Sequence, residues 1–362
     1  MTKLHGNILI EGEFYEAEIE FSEKIQTLVK KGKPQSQLPS IIPGFIDLHV
    51  HGGGGADIME GGIAAAAVTK THAMFGTTSL LATTMTAPFA ELEAAFLALK
   101  PFYLEKSPQG SRILGVHLEG PYISHQKLGA QPDFVRKAAL DEIRLLNDIV
   151  PIKVITLAPE AFENIDLISY INSLGMIVQI GHTNGTYEQG VAALKKGAKG
   201  FTHLFNAMSG FHHREPGMVG AALAHGDFAE LIPDLLHVHQ GAIKTALRSI
   251  PNLYFVTDAT AAAGMPDGAY QLGAQTVYKC LGGVRLDDGT LAGSALTMEQ
   301  ALRNLVELGL KVEEVSHRLS GVPAQFLQLK DRGLIREGFF ADLLVLRKDL
   351  TVENIYSEGV LV

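Results

Sequence analysis

The sequence contains no tryptophan and only one cysteine, Cys280, in 362 residues. A lone thiol excludes an internal disulfide and a cysteine-based metal cage, so any metal site must be built from histidines and carboxylates. No stretch approaches the roughly 18 uninterrupted apolar residues of a membrane span. The opening Met1-Thr2-Lys3-Leu4-His5 lacks the apolar region of a secretion signal, which predicts a cytoplasmic protein. A basic excess is also missing. Lys and Arg number 30 against 39 Asp and Glu, a formal charge of −9 with both signs interspersed, so there is no footprint for nucleic acid. What is present is 46% apolar residues, enough for a large core, and 14 histidines, several of them at the ends of apolar runs.

The first forty residues are short and alternating, as in Asn7-Ile8-Leu9-Ile10-Glu11-Gly12 and Glu16-Ala17-Glu18-Ile19-Glu20-Phe21, and read as antiparallel strands. Beyond the polar Lys31-Gly32-Lys33-Pro34 the texture changes to strand followed by helix. Apolar runs fall at 44–50, 77–84, 112–119, 152–158, 176–182, 200–204, 231–237 and 253–258. Helical patterns lie between them, such as Phe89 to Lys100, Tyr187 to Lys196 and Ala242 to Ser249. This order predicts an α/β fold, a (β/α)8 TIM-like barrel over 43–333, with a doubly wound open sheet as the competitor. The strand-like texture returns around Ala341-Asp342-Leu343-Leu344-Val345-Leu346. Residues 1–42 and 334–362 are therefore expected to pair into a small β-sandwich domain.

In such a barrel, chemistry gathers at the carboxyl ends of the strands. The first run ends in His49-Val50-His51, and residues i and i+2 of a strand face the same side, so both imidazoles can aim at one ion. The glycines Gly52 to Gly55 behind them let the backbone pass close to whatever sits there. The third run ends at Glu119, the fifth at His182, the sixth at His203 and the eighth at Asp258. Glu119, His182 and His203 suit a three-ligand divalent site with open positions. Asp258 is placed to take a proton from water, or alternatively to cap a helix over 259–261. The stretch Leu204-Phe205-Asn206-Ala207-Met208 and the loop carrying Arg214 suit a phosphate or carboxylate, with His237 within reach of the same anion. Arg214 paired with Glu215, and His237 or His239 packed in a strand, are the structural alternatives. Ser294, in Leu291-Ala292-Gly293-Ser294, reads as a cap at the start of a helix or as a substrate contact.

Together these segments resemble the amidohydrolase superfamily, and within it the N-acetylglucosamine-6-phosphate deacetylase family. The resemblance runs through Pro43–His51, His117–Tyr122, Gly181–Gly185, Thr202–Met208, Arg214–Gly217, Leu236–Val238, Val256–Gly264 and Gly293–Leu305. It implies that Glu119, His182 and His203 hold the principal divalent metal and that Asp258 is the acid/base. Zinc is the expected ion, with iron, cobalt or manganese as alternatives. His49 and His51 imply room for a second ion, bridged by Glu119. The resemblance further implies that Asn206 and Ala207 bind the sugar phosphate, that His237 contacts substrate, and that Arg214 reaches the phosphate of the neighbouring subunit in a homodimer. Gln131 stands where some members carry a histidine that polarises the acetyl carbonyl; glutamine donates a hydrogen bond there without a positive charge.

Overall fold

The computed structural model describes residues 1–362. Six of the expected runs form one parallel sheet in chain order: Phe45–Val50, Thr77–Thr84, Arg112–Glu119, Ile152–Leu157, Ile177–Ile180 and Gly200–Phe201. Phe228–Leu231 and Asn252–Phe255 pair parallel beside it. Backbone hydrogen bonds close the ring. Leu204 N donates to Glu230 O (2.8 Å), joining the sixth strand to the seventh. Asp258 N donates to His49 O, and His51 N to Ala259 O, both at 2.9 Å, joining the eighth to the first. The first two strands are buried along their entire length. Strands with helices outside and a filled barrel inside are buried on both faces, which is why charged side chains are rare in them and Asp47 is the one acid of the first.

The helices expected from sequence are present as Phe89–Leu104, Tyr187–Lys195 and Gln240–Ser249. The second is fixed by a capping box in which Thr186 and Gln189 each bond the other's backbone N–H. The run 231–237 is not the seventh strand. The strand is Phe228–Leu231, and Pro233, which has no N–H to donate, ends the pairing. Glu230 interrupts this strand's apolar pattern and so shifts the visible run three residues downstream. A three-stranded sheet, Gly268–Leu272, Gln275–Cys280 and Gly283–Arg285, follows the eighth strand. The next helix starts at Met298, capped by the Thr297 side chain, so Leu291 to Leu296 precede it as a loop.

The terminal segments form one seven-stranded sheet ordered Val360–Leu361, Val352–Ser357, Leu343–Leu346, Ser40–Pro43, Thr2–Ile10, Glu13–Phe21 and Ile25–Gly32. The sheet doubles back on itself. Ile25 N donates to Phe339 O (2.8 Å) and Ala341 N to Glu23 O (2.9 Å), so its two halves face each other. They enclose an apolar interior of their own, including Ile8, Ile19, Phe21, Ile41 and Leu343, separate from the barrel core. A partly buried ion cluster ties this sheet to the barrel. Arg332 bonds Asp342 at 2.6 Å and also Glu358, whose carboxylate accepts from Arg112 at 2.8 and 2.9 Å.

Candidate metal centre

Five strand ends, the first, third, fifth, sixth and eighth, deliver side chains to the same mouth, and the backbone there is unusual. His182 (φ 47°), His203 (φ 28°) and Asp258 (φ 50°), each just past the end of its strand, adopt left-handed conformations that cost non-glycine residues about 1–3 kcal/mol each. Flanking hydrogen bonds hold them. Ser124 N donates to His182 O (2.9 Å), Leu204 N to Glu230 O (2.8 Å), and Ser294 N to Asp258 O (2.7 Å). Gly293 makes the last of these possible, because a Cβ there would lie 2.9 Å from Asp258 O and 2.7 Å from Thr260 Cγ2. The glycines after His51 do a related job. Gly52 N bonds Ala259 O (2.8 Å) and Gly55 N bonds Ala261 O (2.9 Å), so the run packs against the backbone that follows Asp258.

Two sets of donor atoms result. Oε1 of Glu119 lies 3.1 Å from Nε2 of His182 and 3.0 Å from Nε2 of His203, and the two imidazole nitrogens are 3.0 Å apart. Beside them, Nε2 of His49 and Nε2 of His51 are 3.1 Å apart, and both face Oδ1 of Asp258 at 3.4 and 3.2 Å. Oε2 of Glu119 lies 3.2 Å from His51 Nε2, so this carboxylate stands between the sets.

The donors fit a divalent cation. Nδ1 of His182 faces the carbonyl of Lys127 at 2.8 Å. A carbonyl only accepts, so the proton sits on Nδ1 and the Nε2 lone pair points at Glu119 and His203. The His182 lone pair, the His203 ring nitrogen and a carboxylate oxygen converge within about 3 Å, and such a set calls for a positive charge between them. Nitrogen and oxygen donors without thiolate suit zinc, iron, cobalt or manganese, and Cys280 lies exposed, away from the site.

In the ion-free protein, protons supply part of that charge. Burial disfavours charged His49, but Glu119, Asp258 and Glu230 outweigh it and raise its pKa well above the ordinary value. Burial likewise opposes charge on His51, and Asp258 and Glu119 overcome it, lifting the ring to about 9. Burial pushes Glu119 and Asp258 up, yet the surrounding histidines, His49 foremost, hold both below the usual carboxylate range. His117, under the site, behaves oppositely. Burial and the nearby His49 charge lower it to about 4, and both its nitrogens are occupied, by Leu48 O (3.0 Å) and Thr156 Oγ1 (2.7 Å). It is a satisfied core residue.

A cavity of about 210 Å³ opens onto these groups, and its wall includes Gln131, Asn206, Ala207 and His237. Ten of the eleven site residues expected from sequence therefore meet at one mouth, counting His49, His51, Glu119, His182, His203 and Asp258 with these four. Gln131 bonds the metal-facing carboxylate, donating to Glu119 Oε2 at 2.6 Å while its Oε1 accepts from Thr86 N. His237 is oriented by Asp234 through a 2.6 Å contact at Nδ1. Arg214 is not brought to this cavity. It is exposed, beside His213, in a separate surface groove with Lys127 and Thr186.

Three alternatives are settled by contacts. Asp258 caps no helix, since none covers 259–261. Ser294 braces the Asp258 loop through Thr257 O (2.5 Å) rather than capping a helix. His239 caps the helix Gln240–Ser249. Sequence reasoning missed two buried acids. Glu230 bonds His49 Nδ1 at 2.6 Å. Asp47 accepts from Thr257 Oγ1 at 2.6 Å and from His49 N at 3.2 Å, and burial raises it to about 7. An acid inside an otherwise apolar strand is itself the signal for both.

Residues 40–362 match the model of the Amidohydrolase family. An N-acetylglucosamine-6-phosphate deacetylase from Lysinibacillus sphaericus is 38% identical over 330 residues, 88% of this chain and 84% of that protein. An N-acetylgalactosamine-6-phosphate deacetylase from Escherichia coli O157:H7 is 37% identical, over 88% of this chain and 86% of that protein. Among solved structures, a mutant N-acetyl-D-glucosamine-6-phosphate deacetylase from Mycobacterium smegmatis, in complex with N-acetyl-D-glucosamine-6-phosphate, superposes with a TM-score of 0.92. It is 31% identical, over 99% of this chain and 98% of that one. The chain is thus a member of the amidohydrolase family, similar over most of its length to N-acetylglucosamine-6-phosphate deacetylases.

Proposed function

We propose that this chain is a metal-dependent hydrolase that removes the acetyl group of N-acetyl-D-glucosamine 6-phosphate, releasing acetate and D-glucosamine 6-phosphate. One observation carries the reading: the Glu119, His182 and His203 donors and the Asp258 carboxylate border a single cavity whose wall also includes Asn206, Ala207 and His237. The relatives support the substrate class, and the Mycobacterium smegmatis complex supports an amino-sugar phosphate as ligand.

Glu119, His182 and His203 would hold the principal ion, with His49 and His51 available to a second. Zinc is the favoured metal. When bound, the ion supplies Lewis acidity, making water more acidic and drawing charge from the acyl oxygen. Asp258 takes a proton from the attacking water as oxygen bonds to the acetamide carbon. It then returns that proton to the amine nitrogen as the C–N bond breaks. Gln131, a hydrogen-bond donor without a charge, orients the acyl end. Asn206, the backbone of Ala207 and His237 orient the sugar phosphate, and the bent geometry at Asp258 keeps its carboxylate at the mouth.

The barrel of residues 43–333 carries this chemistry, and residues 1–42 with 334–362 form the small domain. The remaining parts of the reading are a cytoplasmic homodimer and an Arg214 that completes the neighbouring subunit's phosphate site. Its exposure, outside its own cavity, supports that role. The 37% identity to a galactosamine-type enzyme makes the C4 epimer the alternative substrate. Acetate release should be measured on GlcNAc-6-phosphate, GalNAc-6-phosphate and unphosphorylated GlcNAc, with metal analysis of the same preparation. Strong activity on the unphosphorylated sugar would remove the roles given to Asn206, Arg214 and His237.

A further inference from the structure

Beneath the two donor sets lies a carboxylate that faces neither cavity nor solvent. Glu230, on the seventh strand, is fully buried, as are His49, Gln179 and Tyr254 around it. Its Oε1 lies 2.6 Å from His49 Nδ1 and accepts from the backbone N–H of His203 at 3.1 Å. One oxygen thus touches a residue of each donor set. Its Oε2 accepts from Tyr254 Oη at 3.3 Å and from Gln179 Nε2 at 3.4 Å, and Gln179 Nε2 also donates to Tyr254 Oη at 2.9 Å. His49, His117 and Glu230 lie close enough to suggest a third metal group. The nitrogens of His117 are both occupied, however, and Nδ1 of His49 is turned to Glu230, so this trio binds no ion.

We propose that Glu230 is the positioning residue of a second ion site formed by His49, His51 and Asp258. A carboxylate only accepts, so a neutral His49 must carry its proton on Nδ1, and Nε2 then presents a lone pair towards His51 and Asp258. His117 packs against the His49 ring with centroids 4.6 Å apart, but only Glu230 bonds its Nδ1 and so sets the tautomer. The same oxygen, through His203 N, keeps the second set in register with the first. The inference rests on the metal-hydrolase reading above, including its second ion, and adds to it the residue on which filling of that second site depends.

The test uses the full chain, stripped of metal and reloaded with zinc or cobalt. Ions per chain are counted by mass spectrometry and affinities measured by chelator competition. Wild type is expected to hold two ions. Glu230→Gln retains an acceptor at Oε1 and should keep both, with the second bound about tenfold more weakly. Glu230→Leu should keep one, bound within a few-fold of wild type, and lose the visible cobalt absorption of the second. Two ions at wild-type affinity in Glu230→Leu, one ion only in wild type, or equal weakening of both ions would each overturn the proposal. Should Glu230→Leu not fold, Glu230→Gln decides: an unchanged second affinity refutes the idea, and selective weakening supports it. A loaded wild type that releases no acetate refutes the hydrolase reading instead, so the two failures are distinguishable.

Discussion

The amide of Gln131 donates a 2.6 Å hydrogen bond to Oε2 of Glu119, leaving Oε1 to face His182 and His203. Because Thr86 N holds the other end of that amide at 2.7 Å, Gln131 is a fixed brace. Gln131→Ala should loosen the carboxylate and weaken metal binding about 10- to 100-fold, as loss of a partner behind a ligand commonly does. Chelator competition measures this. Unchanged affinity would mean that Gln131 serves the substrate alone.

Asp258→Asn keeps the shape and most hydrogen bonds of the side chain but cannot accept a proton. The variant should fold, keep the ion of Glu119, His182 and His203, and lose about 10²- to 10⁴-fold in kcat. Near-normal kcat would sink its assignment as the acid/base.

Removal of the metal should abolish acetate release and lower the melting temperature, with both restored on adding zinc. An ion present at 1,000 times its Kd contributes about 4 kcal/mol of stability. Calorimetry of the stripped and reloaded protein checks this, and full activity after exhaustive chelation would exclude the metal role.

Arg214 lends itself to a complementation test. On the proposed dimer, the Arg214→Ala and Asp258→Asn variants should each be poorly active alone. Mixed and reassembled in equal amounts, they should recover about a quarter of wild-type sites, because half the dimers are hybrid and each hybrid has one intact site. No recovery would place Arg214 outside the partner's site.

The ion cluster between barrel and terminal sheet predicts a pH signature. Burial pushes the Glu358 carboxyl up, but Arg112 and Arg332 outweigh it and hold the group at about 2, against an ordinary 4.5. A depressed carboxyl stabilises the fold above its unfolded pKa, and that contribution is lost as pH falls from 4.5 towards 2. Glu358→Gln should cost on the order of 2–3 kcal/mol at pH 7, less than a fully buried pair would. The gap between wild type and variant should close below pH 3, as read by denaturant titration. A gap independent of pH would show that the charge is not what stabilises the junction.

Much of the barrel was legible because its strands are buried on both faces. Phe45–Val50 and Thr77–Thr84 are exposed nowhere; the first is apolar but for Asp47 and His49, and the second is marked by Leu80-Leu81-Ala82 between β-branched threonines. The seventh strand was misread because Glu230 lies inside it and Leu235 and Leu236 lie beyond it, so apolarity peaked in the wrong place. The donor residues His49, His51, Glu119, His182 and His203 were legible because strand ends converge in this topology wherever the chain places them.

The order of the residues pointed to strand–helix alternation and the donor types, and the single cysteine excluded a cysteine-based cage, since these depend on local pattern and composition. Closure of the barrel came from contacts such as Asp258 N to His49 O. Only the tertiary structure decided that Glu230 stands behind His49, that Gln131 holds Glu119, and that Arg214 lies outside its own cavity. These pairings join residues 181 positions apart in one case and 12 in another. They are set by how the barrel closes and how its loops turn, which no local spacing encodes.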